Sequence, residues 1–124
     1  MVYYNMVQSI NTKSEYHVDA TWFRGMSVYG QVLIGDVGFE FYSSKNVNDF
    51  VQIPWTEVKL VIADVYFKGR YIPRFKIQTR NSGDFIFATR HPKDTLRAIR
   101  THVSDEKMRK SRTFWQIIKN FLKR

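Results

Sequence analysis

The chain has 124 residues, enough for one domain and short for two, and it lacks cysteine altogether. That absence excludes disulfides, a thiol nucleophile and any metal site built on thiolates, and it points to a reducing compartment; 44% hydrophobic and 16% aromatic residues argue for a packed core over disorder. The net charge of +9 is segregated: residues 1–67 hold four basic and seven acidic side chains, residues 68–124 sixteen and four, so an anionic partner of the second half is expected.

The first twenty residues include Gln8, Asn11, Lys13, Glu15 and Asp19 with no apolar run, which predicts no secretory leader. Strand signals then follow in order. Tyr16 to Arg24 is rich in aromatic and β-branched residues and stops at Gly25. Gln31 to Asp36 and Phe39 to Ser43 flank Gly35-Asp36-Val37-Gly38, where the two glycines are expected to supply the positive φ of a tight hairpin turn. Phe50 to Trp55 and Val58 to Phe67 come next, and the second of these contains Leu60 to Ala63, the longest unbroken apolar run and far too short to span a bilayer.

From Arg74 to Arg80 the alternation is clean. Phe75, Ile77 and Thr79 fall on a core side, and Arg74, Lys76, Gln78 and Arg80 on a wet, basic one. That face meets an anionic partner or belongs to an edge strand guarded by its cations. Asp64, inside an apolar strand, is expected to pair with a nearby Arg. Asp84 to Arg90 alternates again around Phe85 and Phe87.

After about seven strands the period lengthens to that of a helix. Pro92 suits a first helical turn and Asp94 the positive end of the dipole. Leu96, Ile99 and Val103 form the apolar stripe, with Lys93, Arg97 and Arg100 opposite. Ser104-Asp105-Glu106 reads as a fresh helix start. Strands first and a helix after give an α+β class or a small barrel closed by a helix. The division expected is a barrel with its capping helix over residues 1–103 and a basic amphipathic helical segment over 104–124.

The last stretch is the sharpest functional signal. On a helix, Phe114, Trp115, Ile117, Ile118, Phe121 and Leu122 fall within an arc of roughly 160°, with Arg112, Gln116, Lys119, Asn120 and Lys123 on the other side. A face of that size needs a cover: the protein's own sheet, the interface of a membrane, or a groove on a partner. Anionic lipid would contribute about 1 kcal/mol for each cation that reaches it. Nucleic acid is the alternative partner, disfavoured because Tyr71, Phe75, Phe85 and Phe87 are expected to point away from the basic face. His17, His91 and His102 are scattered, with no metal-ligand spacing, and no nucleophile motif or phosphate loop is present, so neither metal, cofactor nor catalytic residue is expected.

Val32-Leu33-Ile34-Gly35-Asp36 to Gly38-Phe39-Glu40-Phe41, Gln52-Ile53-Pro54-Trp55-Thr56-Glu57-Val58, Ile72-Pro73-Arg74-Phe75, Phe87-Ala88 and Pro92-Lys93 with Leu96-Arg97-Ala98-Ile99-Arg100 resemble a family of small Firmicutes proteins without an assigned molecular function. The resemblance runs from about Met6 to the C-terminus. Genes of that family commonly lie beside those of the mannose-class sugar phosphotransferase permease. More distantly, the strand order with its Ile-Pro-Trp segment and closing helix is similar to the PH/GRAM-like fold, a barrel of about seven antiparallel strands capped by a helix. What the resemblance implies is a non-enzymatic accessory or regulatory protein in the cytoplasm, peripheral to the inner face of the membrane. It would dock on the permease membrane subunits through its C-terminal segment, whose cations also suit an anionic lipid surface. Phosphoinositide reading is not implied, since the first hairpin, Arg24-Gly25-Met26-Ser27, offers a single cation.

Overall fold

The computed structural model of the chain describes residues 3–4 and 7–111. Among these, ten strands and one α-helix run in the order β1 (Tyr3–Tyr4), β2 (Val7–Gln8), β3 (Ser14–Phe23), β4 (Ser27–Gly35), β5 (Gly38–Ser43), β6 (Phe50–Pro54), β7 (Val58–Ala63), β8 (Phe75–Thr79), β9 (Asp84–Thr89), α1 (Pro92–Arg100) and β10 (Met108–Lys110). β1 and β2 form a small hairpin. The other eight strands make one sheet in the order β10-β7-β8-β9-β3-β4-β5-β6. The sheet is open, not the closed barrel expected from sequence, because β10 and β6 lie at opposite edges. Nor is it wholly antiparallel: β10 runs parallel to β7, with Arg109 opposite Ile62.

The sheet curls over its own inner face. Phe39 of β5 packs edge-on against Phe75 of β8 at 6.2 Å and, tilted, against Phe87 of β9 at 4.9 Å, although in the sheet order three strands lie between β5 and β8 and two between β5 and β9. Such rings can meet only if the two halves fold toward each other, and β3 is the strand about which they do so. It pairs with β4 along its length and with β9 only over Ala20–Phe23. The inner faces contribute Val18, Val32, Ile34, Phe41, Val51, Ile53, Val58, Val61 and Ile77 to one buried cluster, completed by Ile99 and Val103.

α1 begins at Pro92, as its missing N–H predicts. Its buried face holds Thr95 and Ile99, whereas Leu96 is half-buried. Thr95 is buried because its hydroxyl is fully used: it donates to the His91 carbonyl at 2.8 Å and lies 3.0 Å from the Thr89 hydroxyl and 3.2 Å from that of Tyr16. Asp105–Lys107 form a single tight turn, and residues 108–110, read from sequence as part of a helical segment, are a strand instead. β7 likewise stops at Ala63, short of the expected Phe67.

The Gly35–Gly38 hairpin is present, but its glycines serve close approach and not positive φ. A Cβ on Gly35 would sit 2.3 Å from the Lys13 carbonyl oxygen, and one on Gly38 would sit 2.4 Å from that of Ile53. The positive φ values among glycines belong to Gly25, Gly69 and Gly83.

Candidate functional site

The basic sheet face expected over Arg74–Arg80 has the predicted geometry and a different electrostatic character. Phe75, Ile77 and Thr79 are buried and the alternate residues point outward. β8 is interior, between β7 and β9, so its cations do not guard an edge. They are also engaged. Arg74 donates to Asp64 at 2.7 Å, Lys76 lies 3.9 Å from Asp84, and the Arg80 guanidinium donates to the Thr56 carbonyl at 3.0 Å. Asp64 additionally accepts a hydrogen bond from the Ser111 hydroxyl. In the first hairpin, Arg24 pairs with Asp49 at 2.7 Å and lies 4.7 Å over the Trp22 ring.

The aromatic residues of β8 and β9 face the core, as expected, leaving no stack of rings on the basic side. Tyr71 is an exception to its prediction, being 54% exposed on the loop before β8. The proposed docking residues Arg112, Phe114, Trp115, Ile117, Ile118, Lys119, Phe121, Leu122 and Lys123 lie outside the described residues.

Folding gathers other cations into a place the sequence did not mark. A cleft of about 340 Å³ is lined by Arg70, Ile72, Arg90, His91, Lys93 and the carboxylate of Asp94, and it adjoins a groove of about 450 Å³ along α1. The two share Ile72 and Lys93. The groove's floor is apolar, from Ile72, Leu96 and Met108, and its rim is cationic, from Lys93, Arg97 and Arg100. Arg100 is tied to Asp105 at 2.8 Å, which holds the Asp105 carboxyl below its ordinary range, and Arg97 to Asp94 at 3.0 Å. Lys93 and Arg70 have no carboxylate partner among the described residues. Lys93, Arg97 and Arg100 were legible as one helix face; Arg70, Ile72 and Met108 come from distant segments and were not.

Two further clusters are structural in character. Glu40 is fully buried on the outer side of β5, under the segment Ser9–Asn11. Its carboxylate accepts from the Ser9 and Tyr42 hydroxyls, from the Ile10 N–H at 3.2 Å, from the Asn11 amide at 2.6 Å and from the Gln52 amide at 3.2 Å. Burial, and then the neighbouring carboxylate, push the Tyr42 phenol up from its ordinary value. The Asn11 side-chain oxygen takes the N–H groups of Val37 and Gly38 at 2.7 and 2.8 Å. Together these bonds latch the N-terminal segment across the β4–β5 hairpin.

Comparisons with known proteins place the fold. A solution structure of a pleckstrin homology domain matches with a TM-score of 0.51 at 20% identity, covering 75% of this chain and 88% of that one. The C-terminal domain of an unknown protein from Leishmania infantum matches with a TM-score of 0.63 at 13% identity, covering 73% and 83%. No curated protein matches. A family model described as a domain of unknown function (DUF956) matches residues 6–122.

Proposed function

The chain belongs to the DUF956 family, and from that footing we propose that it is a non-enzymatic accessory or regulatory protein of a mannose-class phosphotransferase permease, docked at the cytoplasmic face of the membrane. The permease comes from the gene neighbourhood that the sequence resemblance implies. The observation that supports docking most is the cationic groove with an apolar floor along α1. Met108, on that floor, lies three residues before Ser111, after which the sequence turns into the amphipathic stretch of Phe114, Ile117, Ile118 and Phe121. Groove and stretch share the same chemistry, apolar residues bordered by Lys and Arg, and the same end of the chain.

Such a surface recruits a partner with acidic groups around an apolar contact. Cations at the rim speed encounter and select orientation, and apolar burial holds the complex. Reading the protein as a binder and not a catalyst is in keeping with Asp64, Glu40 and His102, each of which is engaged in internal hydrogen bonds. The test is the full chain carrying Ile118→Asp and Phe121→Asp. It is expected to leave the membrane fraction and to lose the permease while its thermal midpoint is unchanged. Retention of both on the membrane would contradict the reading.

A further inference from the structure

Between β7 and β8 the chain makes a tight loop with an unusual backbone. Phe67, Lys68 and Gly69 have φ values of 54°, 56° and 92°, three left-handed residues in succession of which only one is glycine. For a bulky aromatic residue this conformation costs on the order of 1 kcal/mol or more and persists only when its surroundings impose it. Here the base of the loop does so: the Tyr66 N–H donates to the Tyr71 carbonyl at 2.8 Å and the Tyr71 N–H returns to Tyr66 at 3.2 Å. Gly69 and Arg70 close the tip with N–H bonds to Tyr66 and Phe67 at 3.1 and 3.2 Å. The consequence is a hydrogen-bonded tip on which Phe67 is 74% exposed.

The loop's setting is cationic. Lys68 and Arg70 follow the ring in sequence, and Arg70 lines the cleft that also holds Arg90 and Lys93. Asp94, which lines the same cleft, is held by Arg97 at 3.0 Å, and Asp19 lies 3.8 Å from Arg90. Tyr71, half-exposed at the base, has the amphipathic ring suited to headgroup depth.

We propose that the Tyr66–Tyr71 loop inserts Phe67 into the interface of an anionic bilayer while Lys68, Arg70 and Arg90 meet lipid phosphates. Two arguments select lipid as the occupant. The sign of charge is complementary to an anionic leaflet, which attracts such cations over a Debye length. The apolar area is one ring and part of another, far below the roughly 800 Å² per partner of a specific protein interface, yet sufficient for one side chain to enter the acyl boundary. The proposal deepens the docking reading above, on which it rests for bringing a bilayer within reach, by making lipid a direct contact through a structured loop independent of residues 112–124.

The test uses the full chain and sedimentation with vesicles of phosphatidylcholine alone or with about one-third phosphatidylglycerol. Phe67→Asn removes the ring and suits the left-handed backbone, so folding is preserved; Phe67→Trp restores an interfacial ring. Wild type is expected to bind the anionic vesicles and lose binding on the neutral ones. Phe67→Asn should weaken that binding about tenfold and Phe67→Trp regain it, with emission shifted to the blue beyond that of wild type. Absence of wild-type binding, equal binding by Phe67→Asn, or unshifted emission from Phe67→Trp each overturns the proposal. If any of these occurs while wild type still recovers the permease from membranes, the loop contact is wrong and docking stands. Loss of permease recovery by Phe67→Asn without vesicle binding assigns the tip to protein and likewise overturns it.

Discussion

The Trp55 indole lies flat against the His102 imidazole, ring centroids 4.9 Å apart and planes within 8°. His102 also meets Glu15 through Nε2 at 2.5 Å, and the Trp55 N–H donates to the Gly35 carbonyl at 3.0 Å. One stack thus ties the start of β3, the β4–β5 turn, the β6–β7 connection and the end of α1. His102→Ala should destabilise the fold by about 1–2 kcal/mol, because the stack and the hydrogen bond go together. Urea denaturation measures this, and a change within about 0.3 kcal/mol would show the stack to be incidental.

Glu40 is surrounded by donors and has no cation against it among the described residues. Glu40→Leu strands those donors in a buried site and should cost about 3 kcal/mol or more, exceeding the loss from Glu40→Gln, which keeps shape and one acceptor. Denaturation midpoints of the two variants decide the order. Equal midpoints would mean that residues 8–11 lift away and let water in.

Asp36 receives the Thr12 hydroxyl and the Thr12 and Lys13 N–H groups, bonds that bring its carboxyl down to about 2. A depressed folded value means the contribution is complete above the unfolded value near 3.9 and is lost as pH falls through about 2. Asp36→Asn should therefore flatten the decline of stability between about pH 4 and pH 2. Thermal midpoints across that range test it, and parallel curves for wild type and variant would refute it.

The two kinds of glycine separate by substitution. Gly38→Ala drives a Cβ into backbone at 2.4 Å, while Gly83→Ala meets open space and only a positive φ. The first is expected to cost well over 2 kcal/mol or prevent folding, the second about 1 kcal/mol. Expression and calorimetry of both variants report the contrast, and a milder Gly38→Ala would reverse the assignment.

Local pattern made much of this fold legible. The alternation of Phe75, Ile77 and Thr79, the turn at residues 35–38 and Pro92 at a helix start are short-range signals, and each element formed where they lie. What failed depends on segments distant in sequence. Nothing in the local pattern marks Glu40, set between two core phenylalanines, as buried; Ser9–Asn11 cover it from thirty residues away. Met108-Arg109-Lys110 carries no strand pattern, and it becomes a strand only because β7 offers an open edge. The pairing of Asp64 with an Arg was legible and is made by Arg74 at 2.7 Å; that partners engage the cations of β8 was not. Arg70, Ile72 and Met108 join α1 only once the sheet has curled.

The docking account stands or falls on recovery of the partner. Full-length protein and a Lys93→Glu, Arg97→Glu variant, solubilised gently from native membranes, are to be purified and their bound proteins identified. The account predicts mannose-class permease subunits with the full-length protein and a loss of about tenfold or more with the charge-reversed groove. Finding the protein entirely outside the membrane fraction, with no permease subunit bound, would contradict it.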